Sequence, residues 1–476
     1  MTFEQNRNHT ESSRSSRRSI LKKAALATAA FTIVPRHVLG GPGFVAPSDR
    51  VHVGVVGVGG RGKENVKELF KLQDVVITSI ADPAESWDLA KFYYKGTAGR
   101  APVAELVTNH YAAKDSSYKI ALHEDVRVML EQQPELDAVL CATPDHNHAF
   151  VSIQSMKAGK HVYCEKPLTH NVWEARLVAK IAAETGVATQ MGNQGHANEA
   201  LRQTVEWIRD GVIGKVLEVH AWAAGSRWNP ELTGKPASQP IPKGLNWDLW
   251  LGTREPWDFN SALAPVAWRD FWPFGLGNLG DIGCHDLDSA VWALNLKSPR
   301  TVEVQAVGNM NQDIAPHGEL GHYRFENEGD QVAVDVYWYG GGPKPRRPDE
   351  LPPGQTLPNR GTLFIGEQGK LLCGAAGSSV RLLPQSLSDE YKRPEPSLPR
   401  AVSHHREWVD AIKGGPAPMS NFAYGAKLTE IILLGCTSMR IGKPIDWNYN
   451  TMSASNAPEA EAILKEGYRR GWELAS

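Results

Sequence analysis

Neither sign of charge dominates this 476-residue chain, in which 51 Lys and Arg stand against 53 Asp and Glu. That balance argues against nucleic acid as a partner. Cysteine is scarce: the five present, Cys141, Cys164, Cys284, Cys373 and Cys436, contain no Cys-x-x-Cys pair, and their odd number suits free, buried thiols better than a disulfide framework. No metal site is expected from them. The apolar stretch at residues 24–34 is about half of what a bilayer-spanning helix needs, so stable membrane insertion is not expected. No internal repeat is evident either.

What the first fifty residues do have is Ser16-Arg17-Arg18-Ser19-Ile20-Leu21-Lys22 ahead of that apolar stretch, a pattern similar to a twin-arginine export signal. Residues 1–49 are therefore assigned to a signal and linker, with the mature chain starting between Gly40 and Ser48. A periplasmic or secreted location follows. Because that route carries folded cargo, a cofactor acquired before export can travel inside its protein and is expected to stay bound.

The stretch around which the chain is organised comes next. A Val-rich run, 51–56, leads into Gly57-x-Gly59-x-x-Gly62, and a helix-compatible segment follows at 63–72. Strand, glycine turn and helix form a dinucleotide fingerprint: Gly57 permits the sharp turn, Gly59 lets a pyrophosphate approach the backbone, and Gly62 lets helix pack on strand. The phosphates then lie at the helix N-terminus, where unpaired N–H groups and the helix dipole favour negative charge. A second apolar run, 75–81, ends in Asp82, 20 residues after Gly62, placed to hold the adenosine ribose diol. A carboxylate there repels a 2′-phosphate, which favours NAD over NADP. Arg61 is a guanidinium able to reach either cofactor. Gly57, Gly59, Gly60, Arg61, Gly62 and Asp82 are the candidate cofactor contacts on this side.

Strand and helix patterns then alternate through residue 190, with a weak helix at 87–94, helices at 124–133, 149–158 and 172–185, and strands at 137–142, 161–164 and 187–190. Such alternation gives a parallel, doubly wound sheet with ligands at the carboxyl ends of its strands. Beyond Gly192 a helix at 199–209 is followed by strand-like runs at 215–222, 301–307, 331–339 and 362–365. Pro and Gly mark 340–360 as a surface loop, and helices at 404–412 and 424–441 close the chain. The fold class is thus α/β: a Rossmann dinucleotide-binding domain at 50–192, then an α+β domain at 193–476 with a large, mostly antiparallel sheet. That sheet's open face is the expected contact of a homo-oligomer.

Two spots carry the chemistry. Glu165-Lys166-Pro167 leaves the carboxyl end of a sheet strand, so Lys166 is aimed at the nicotinamide; burial beside a cationic ring is expected to lower its pKa toward the working range. In Gly280-Asp281-Ile282-Gly283-Cys284-His285, a helix starting near Gly280 puts Asp281 and His285 at i and i+4 on one face. Asp281 is expected to orient His285 as a proton acceptor, with Lys166 holding the substrate oxygen.

The glycine fingerprint, the Glu165-Lys166-Pro167 turn and Asp281-x-x-x-His285 together resemble the Gfo/Idh/MocA oxidoreductases over roughly residue 50 to the end. The resemblance implies that Lys166, Asp281 and His285 form the catalytic set, that Thr143, Pro144 and His148 belong to the cofactor-side loop with Glu165 and Lys166, and that the substrate is a sugar, polyol or glycoside. The signal, residues 35–41, and a Trp-rich insertion at 224–274 look like a secreted subgroup. Within that insertion Trp268 and Arg269 are the candidate substrate contacts. Three readings remain open: net oxidation or reduction of a hydroxyl, an oxidation–elimination–addition–reduction cycle that hydrolyses a glycoside, and a non-catalytic NAD-bearing binding protein.

Overall fold

The computed structural model describes residues 46–327 and 333–474. The residues expected to form the export signal, Arg17 and Arg18 among them, and the first two residues of the strand expected at 331–339 lie outside the described residues. A short turn, Pro47–Asp49, belongs to the leading unit that ends at Arg50; everything below concerns the unit that begins at Val51.

Val51–Val56 lies near the middle of a six-stranded sheet, paired in parallel with Val75–Ala81 on one side and Ala138–Cys141 on the other. Its β-branched run suits a strand covered on both faces. Val53 and Val55 are fully buried, each stabilising the fold by roughly 1.5–3 kcal/mol. Ala121–His123 flanks the Val75–Ala81 edge, and His161–Cys164 and Thr189–Met191 extend the other side, all in parallel. Strand order therefore reverses beside Val51–Val56, which opens a crevice at its carboxyl end. The expected weak helix at 87–94 is not formed: Trp87–Asp88 pairs with Thr97–Ala98, and the helix of this connection is Arg100–Ala112. Its buried residues, Val103, Ala104 and Val107, make too narrow a stripe to stand out in the sequence.

Nine strands form the second sheet, in the order Val380–Leu383, Lys370–Gly374, Arg360–Gly366, Val216–Ala223, Val334–Gly340, Gly318–Phe325, Thr301–Val307, Ile445–Asn448 and Ser453–Ala454. Its pairs are antiparallel except where Val334–Gly340 runs parallel to Val216–Ala223. Burial alternates along Val334–Gly340, so Val334, Val336 and Trp338 face the core while Asp335, Tyr337 and Tyr339 face outward. On the outward face the rings of His220 and His322 stack on opposite sides of Tyr337, at 4.9 and 4.7 Å.

The helix Gly277–Asp286 starts over this sheet, and its first turn meets a buried carboxyl. Glu319 accepts from Asn278 and from the Trp338 indole at 3.4 Å each, while its Oε1 has no partner. Burial pushes the Glu319 pKa up to about 7 from 4.5, against the opposing pull of those donors. A carboxyl with a raised folded-state pKa stabilises most below its unfolded pKa, and that stability is lost as pH rises from 4.5 through about 7. The Glu319→Gln protein should therefore gain on wild type by up to about 3 kcal/mol between pH 4.5 and pH 8, read from parallel urea titrations at the two pH values. An equal offset at both would show that Glu319 does not titrate in this window.

Candidate functional site

At the end of Val51–Val56 the chain turns at Gly57, whose φ of +80° is open to glycine, and a Cβ there would lie 2.7 Å from the Ala142 carbonyl oxygen. The helix Gly60–Leu69 starts at once, capped by Gly59 with no side chain over its amide groups and no acidic residue in its first turn. Those amides stay available to an anion. Nothing lies within 4 Å of where a Gly59 Cβ would be, which leaves the close approach that a pyrophosphate needs. Gly62 is different: its Cβ would sit 1.9 Å from the Gly57 carbonyl oxygen, backbone against backbone. Gly62→Ala should therefore force helix and loop apart, lowering the melting temperature by several degrees and abolishing detectable NADH binding; a variant that binds NADH normally would show that the loop can yield.

A cavity opens on this loop. All the residues singled out from the sequence line it except Gly62, Asp281 and His285. Asp82, at the end of Val75–Ala81, is more than a free acceptor. Its Oδ2 accepts from the Val58 amide at 2.7 Å and its Oδ1 from the Ala84 amide at 2.8 Å, bracing the glycine loop, and burial lifts its pKa to about 6 in spite of both. Arg61 is committed elsewhere: its Nε donates to Glu165 Oε1 at 2.9 Å. That oxygen also accepts from Asn65 at 2.8 Å and Gln194 at 2.9 Å. Burial alone would raise the Glu165 pKa, but these donors, Arg61 foremost, hold it down at about 2. His148 ties the two cofactor-side turns together, its ring nitrogens 2.7 Å from the Pro167 oxygen and 2.9 Å from the Thr143 oxygen. Among the described residues one group of metal-ligand type comes together, Cys141, His148 and Cys164, but both nitrogens of that histidine already face carbonyls.

Of the catalytic candidates Lys166 lines the cavity and Asp281 pairs with it, and here two expectations are corrected. Asp281 and His285 do share the helix Gly277–Asp286, but the carboxylate does not orient the imidazole. Lys166 Nζ donates to the Asp281 backbone oxygen at 2.7 Å and to its Oδ1; Arg269 Nε reaches the same Oδ1 at 3.4 Å, and the Trp228 indole donates to Oδ2 at 3.1 Å. Two cations and an indole outcompete a neutral imidazole for a buried carboxylate. Lys166, expected to have a lowered pKa, has a raised one: burial depresses it, but the Asp281 charge more than compensates. His285 keeps a buried Nδ1 without a partner, and burial, then the positive charges of Lys166 and Arg360, pull its pKa down to about 3. It is a neutral base over the whole physiological range.

The structure adds two residues to this cluster. Asp145 lines the cavity, and burial raises its pKa to about 8 against the pull of Arg269 and Lys166, so at neutral pH it is a proton donor. Asp145 stands in the run Thr143-Pro144-Asp145-His146-Asn147-His148, and nothing in its spacing distinguishes an aspartate that faces cations. Trp228, 38% exposed, presents its ring beside Asp281 and Arg269, whose guanidinium lies 5.4 Å from it and 4.2 Å from the Trp268 ring. A single exposed Trp in a loop carries no sequence signal of this kind.

Comparison with known proteins bears on this geometry. A family model described as an oxidoreductase family with an NAD-binding Rossmann fold matches residues 51–193, and its companion, described as the C-terminal alpha/beta domain of an oxidoreductase family, matches residues 197–335. Together they span more than half of the chain. A glycosyl hydrolase family 109 protein from Shewanella pealeana is 29% identical over 220 residues, which are 43% of this chain and 45% of that relative. The chain thus spans less than half the length of the curated relatives it matches. Among solved structures, the WlbA dehydrogenase of Bordetella pertussis, in complex with NADH and UDP-GlcNAcA, aligns with 84% of this chain and 99% of its own at a TM-score of 0.55 and 17% identity. An aldose-aldose oxidoreductase from Caulobacter crescentus aligns over 84% and 100% at 0.55 and 15% identity. At such identities these two share the fold.

Proposed function

The chain belongs to the Gfo/Idh/MocA family of NAD-dependent oxidoreductases, and from that premise we propose that it transfers a hydride from the carbinol carbon of a secondary alcohol in a sugar, polyol or glycoside, or back to the corresponding carbonyl, and keeps its NAD bound between turnovers. The observation that carries the reading is the pairing of Lys166 with Asp281 at the end of the cavity, with a neutral His285 on the same helix. When bound, NAD supplies a hydride acceptor. The glycine loop and the open first turn of Gly60–Leu69 would hold its phosphates, and Asp82 its adenosine ribose. Lys166, kept charged by Asp281, donates a hydrogen bond to the substrate oxygen, and His285 takes the hydroxyl proton on its unpartnered nitrogen. Arg269 and Trp268, with Trp228 beside them, offer a cation and flat faces to the sugar ring.

A second reading is favoured by the relatives called glycosyl hydrolase family 109: the same groups acting in a cycle of oxidation, elimination, water addition and re-reduction, which hydrolyses a glycoside without net redox change. One experiment separates the two. The purified protein is given candidate glycosides in a single turnover, products are identified by mass spectrometry, and absorbance is followed at the NADH band. Net oxidation leaves persistent NADH; the hydrolytic cycle leaves none and releases a free reducing end. A protein that binds no NAD would sink both.

Export through the twin-arginine route and assembly with a second copy through the open sheet face around Tyr337 belong to the same proposal. Among the described residues no helix is long and apolar enough to cross a membrane. Replacing Arg17 and Arg18 with Lys should retain the protein in the cytoplasmic fraction, and light scattering of the purified protein reads the assembly.

A further inference from the structure

We infer that residues 465–474 form a strap that closes the adenosine end of the cofactor cavity, and that Trp472 is the aromatic wall on which the adenine packs. The inference rests on the NAD reading of that cavity and assigns it a contact from the far end of the sequence.

The strap is built in rather than lying loose. Glu466 accepts from Arg254 at 2.5 Å, His170 at 2.9 Å and Arg440 at 3.1 Å, and although burial would raise its pKa, these donors, Arg254 foremost, hold it well below the usual carboxylate range. Tyr468 donates to Glu174 at 2.7 Å. Arg469 donates to the Gly252 oxygen at 3.0 Å and to the Asp248 carboxylate, while its own amide donates to the Thr253 oxygen at 3.1 Å. The segment is thus fastened to the Trp-rich insertion by Arg254 and Asp248, and to the dinucleotide-binding half by His170 and Glu174. A largely covered carboxylate taken by several donors positions a chain strongly, because leaving it unpaired is costly.

Beyond these anchors the chain turns, with the Trp472 amide donating to the Arg469 oxygen at 3.0 Å, and delivers the indole to the cavity wall. Trp472 packs against Phe150 with centroids 4.8 Å apart, and the Arg127 guanidinium lies 4.2 Å from its ring. It lines the cavity together with Val126 and Val151, whose apolar side chains are buried beside it. The position within the fold identifies what faces it. Val126 follows the strand Ala121–His123, the neighbour of the strand that ends at Asp82, so this is the side of the switch point on which a dinucleotide's adenosine lies. Lys166 and Arg269 mark the opposite end. A flat indole at the adenosine end, on the same cavity wall as Val126 and Val151 and with the Arg127 and Arg469 guanidinium groups 4.2 and 5.6 Å from its ring, fits a purine, whose stacking on an aromatic side chain is worth about tenfold to a hundredfold in affinity.

The test uses full-length protein charged with NADH, with wild type compared to Trp472→Leu, Trp472→Phe and a deletion of residues 470–476 that leaves Glu466, Tyr468 and Arg469 in place. Release is followed by stopped-flow loss of NADH fluorescence on dilution into excess NAD, and melting temperatures are recorded without nucleotide. Leu and the deletion should release NADH about 10–100-fold faster, with Phe within about threefold of wild type. A second measurement needs no variant: wild type photolabelled with 8-azidoadenine NAD should carry the label on the peptide containing Trp472. Unchanged release from both Leu and the deletion, or labelling confined to other peptides, would overturn the inference while leaving the NAD reading intact. Wild type that takes up no NADH would overturn both.

Discussion

Lys166→Met should lower turnover by two orders of magnitude or more while NADH remains bound. Methionine keeps the length and most of the volume of the side chain, so the cavity wall survives; what is lost is the ammonium that donates to Asp281 and is available to a substrate oxygen. A positioned acid–base group contributes about 10²–10⁴ in rate. The substitution also leaves the Asp281 carboxylate buried with only Arg269 and the Trp228 indole, and removing one partner of a buried pair costs about 3–5 kcal/mol. Activity must therefore be read below the variant's own melting transition, with NADH binding measured on the same sample. Unchanged turnover in a protein that binds NADH would remove Lys166 from the chemistry. Turnover and binding lost together would assign it to the structure instead.

Why the fold was largely legible and the site only partly so follows from the range of the forces involved. The glycine loop, Asp82 and the Glu165-Lys166-Pro167 turn are local: each follows a strand, and the requirement of a parallel sheet then brings them to one crevice. The oxidoreductase fold and NAD as its cofactor were read from these. The helix holding Asp281 and His285 was equally visible, because i and i+4 adjacency is a property of the helix itself. Which neighbour wins a carboxylate is not. Asp281 is taken by Lys166, 115 residues earlier, and by Arg269, 12 residues earlier, and only packing decides that both arrive. The strands Gly318–Phe325 and Lys370–Gly374 escaped notice for a related reason: the first begins with Gly-Glu-Leu-Gly and buries Glu319, a residue that would not be placed in a core. Likewise nothing in the polar run from Lys465 to Arg470 shows that it is fixed, since Glu466 is held only because Arg254, His170 and Arg440 converge on it.

The pairing that the sequence did not disclose also makes the sharpest prediction about pH. In Asp281→Asn the main field that keeps Lys166 charged is gone, so burial and the nearby Arg269 charge act on the amine with only the weaker pull of Asp145 against them, and its pKa should fall. The alkaline limb of the turnover profile should move to lower pH, with the maximal rate down by about 10²–10⁴. Stability should follow a matching pattern. In wild type the lowered pKa of Asp281 gives stability that is present above 3.8 and lost as pH falls through the folded value, and the raised pKa of Lys166 gives stability that is present below 10.5 and lost as pH rises through the folded value. Asparagine has neither. The gap between wild type and variant should thus be a plateau of about 3–5 kcal/mol from about pH 5 up to the pH at which the variant's Lys166 loses its proton, closing on both sides, and urea titrations at pH 3, 7 and 11 suffice to read it. A gap independent of pH would mean that the carboxylate and the amine do not titrate as a pair. A gap that closes with no shift in the alkaline limb would separate their structural coupling from catalysis, and the hydrogen bond to the substrate oxygen would then have to come from another donor on the cavity wall, with Arg269 and the protonated Asp145 the first to test.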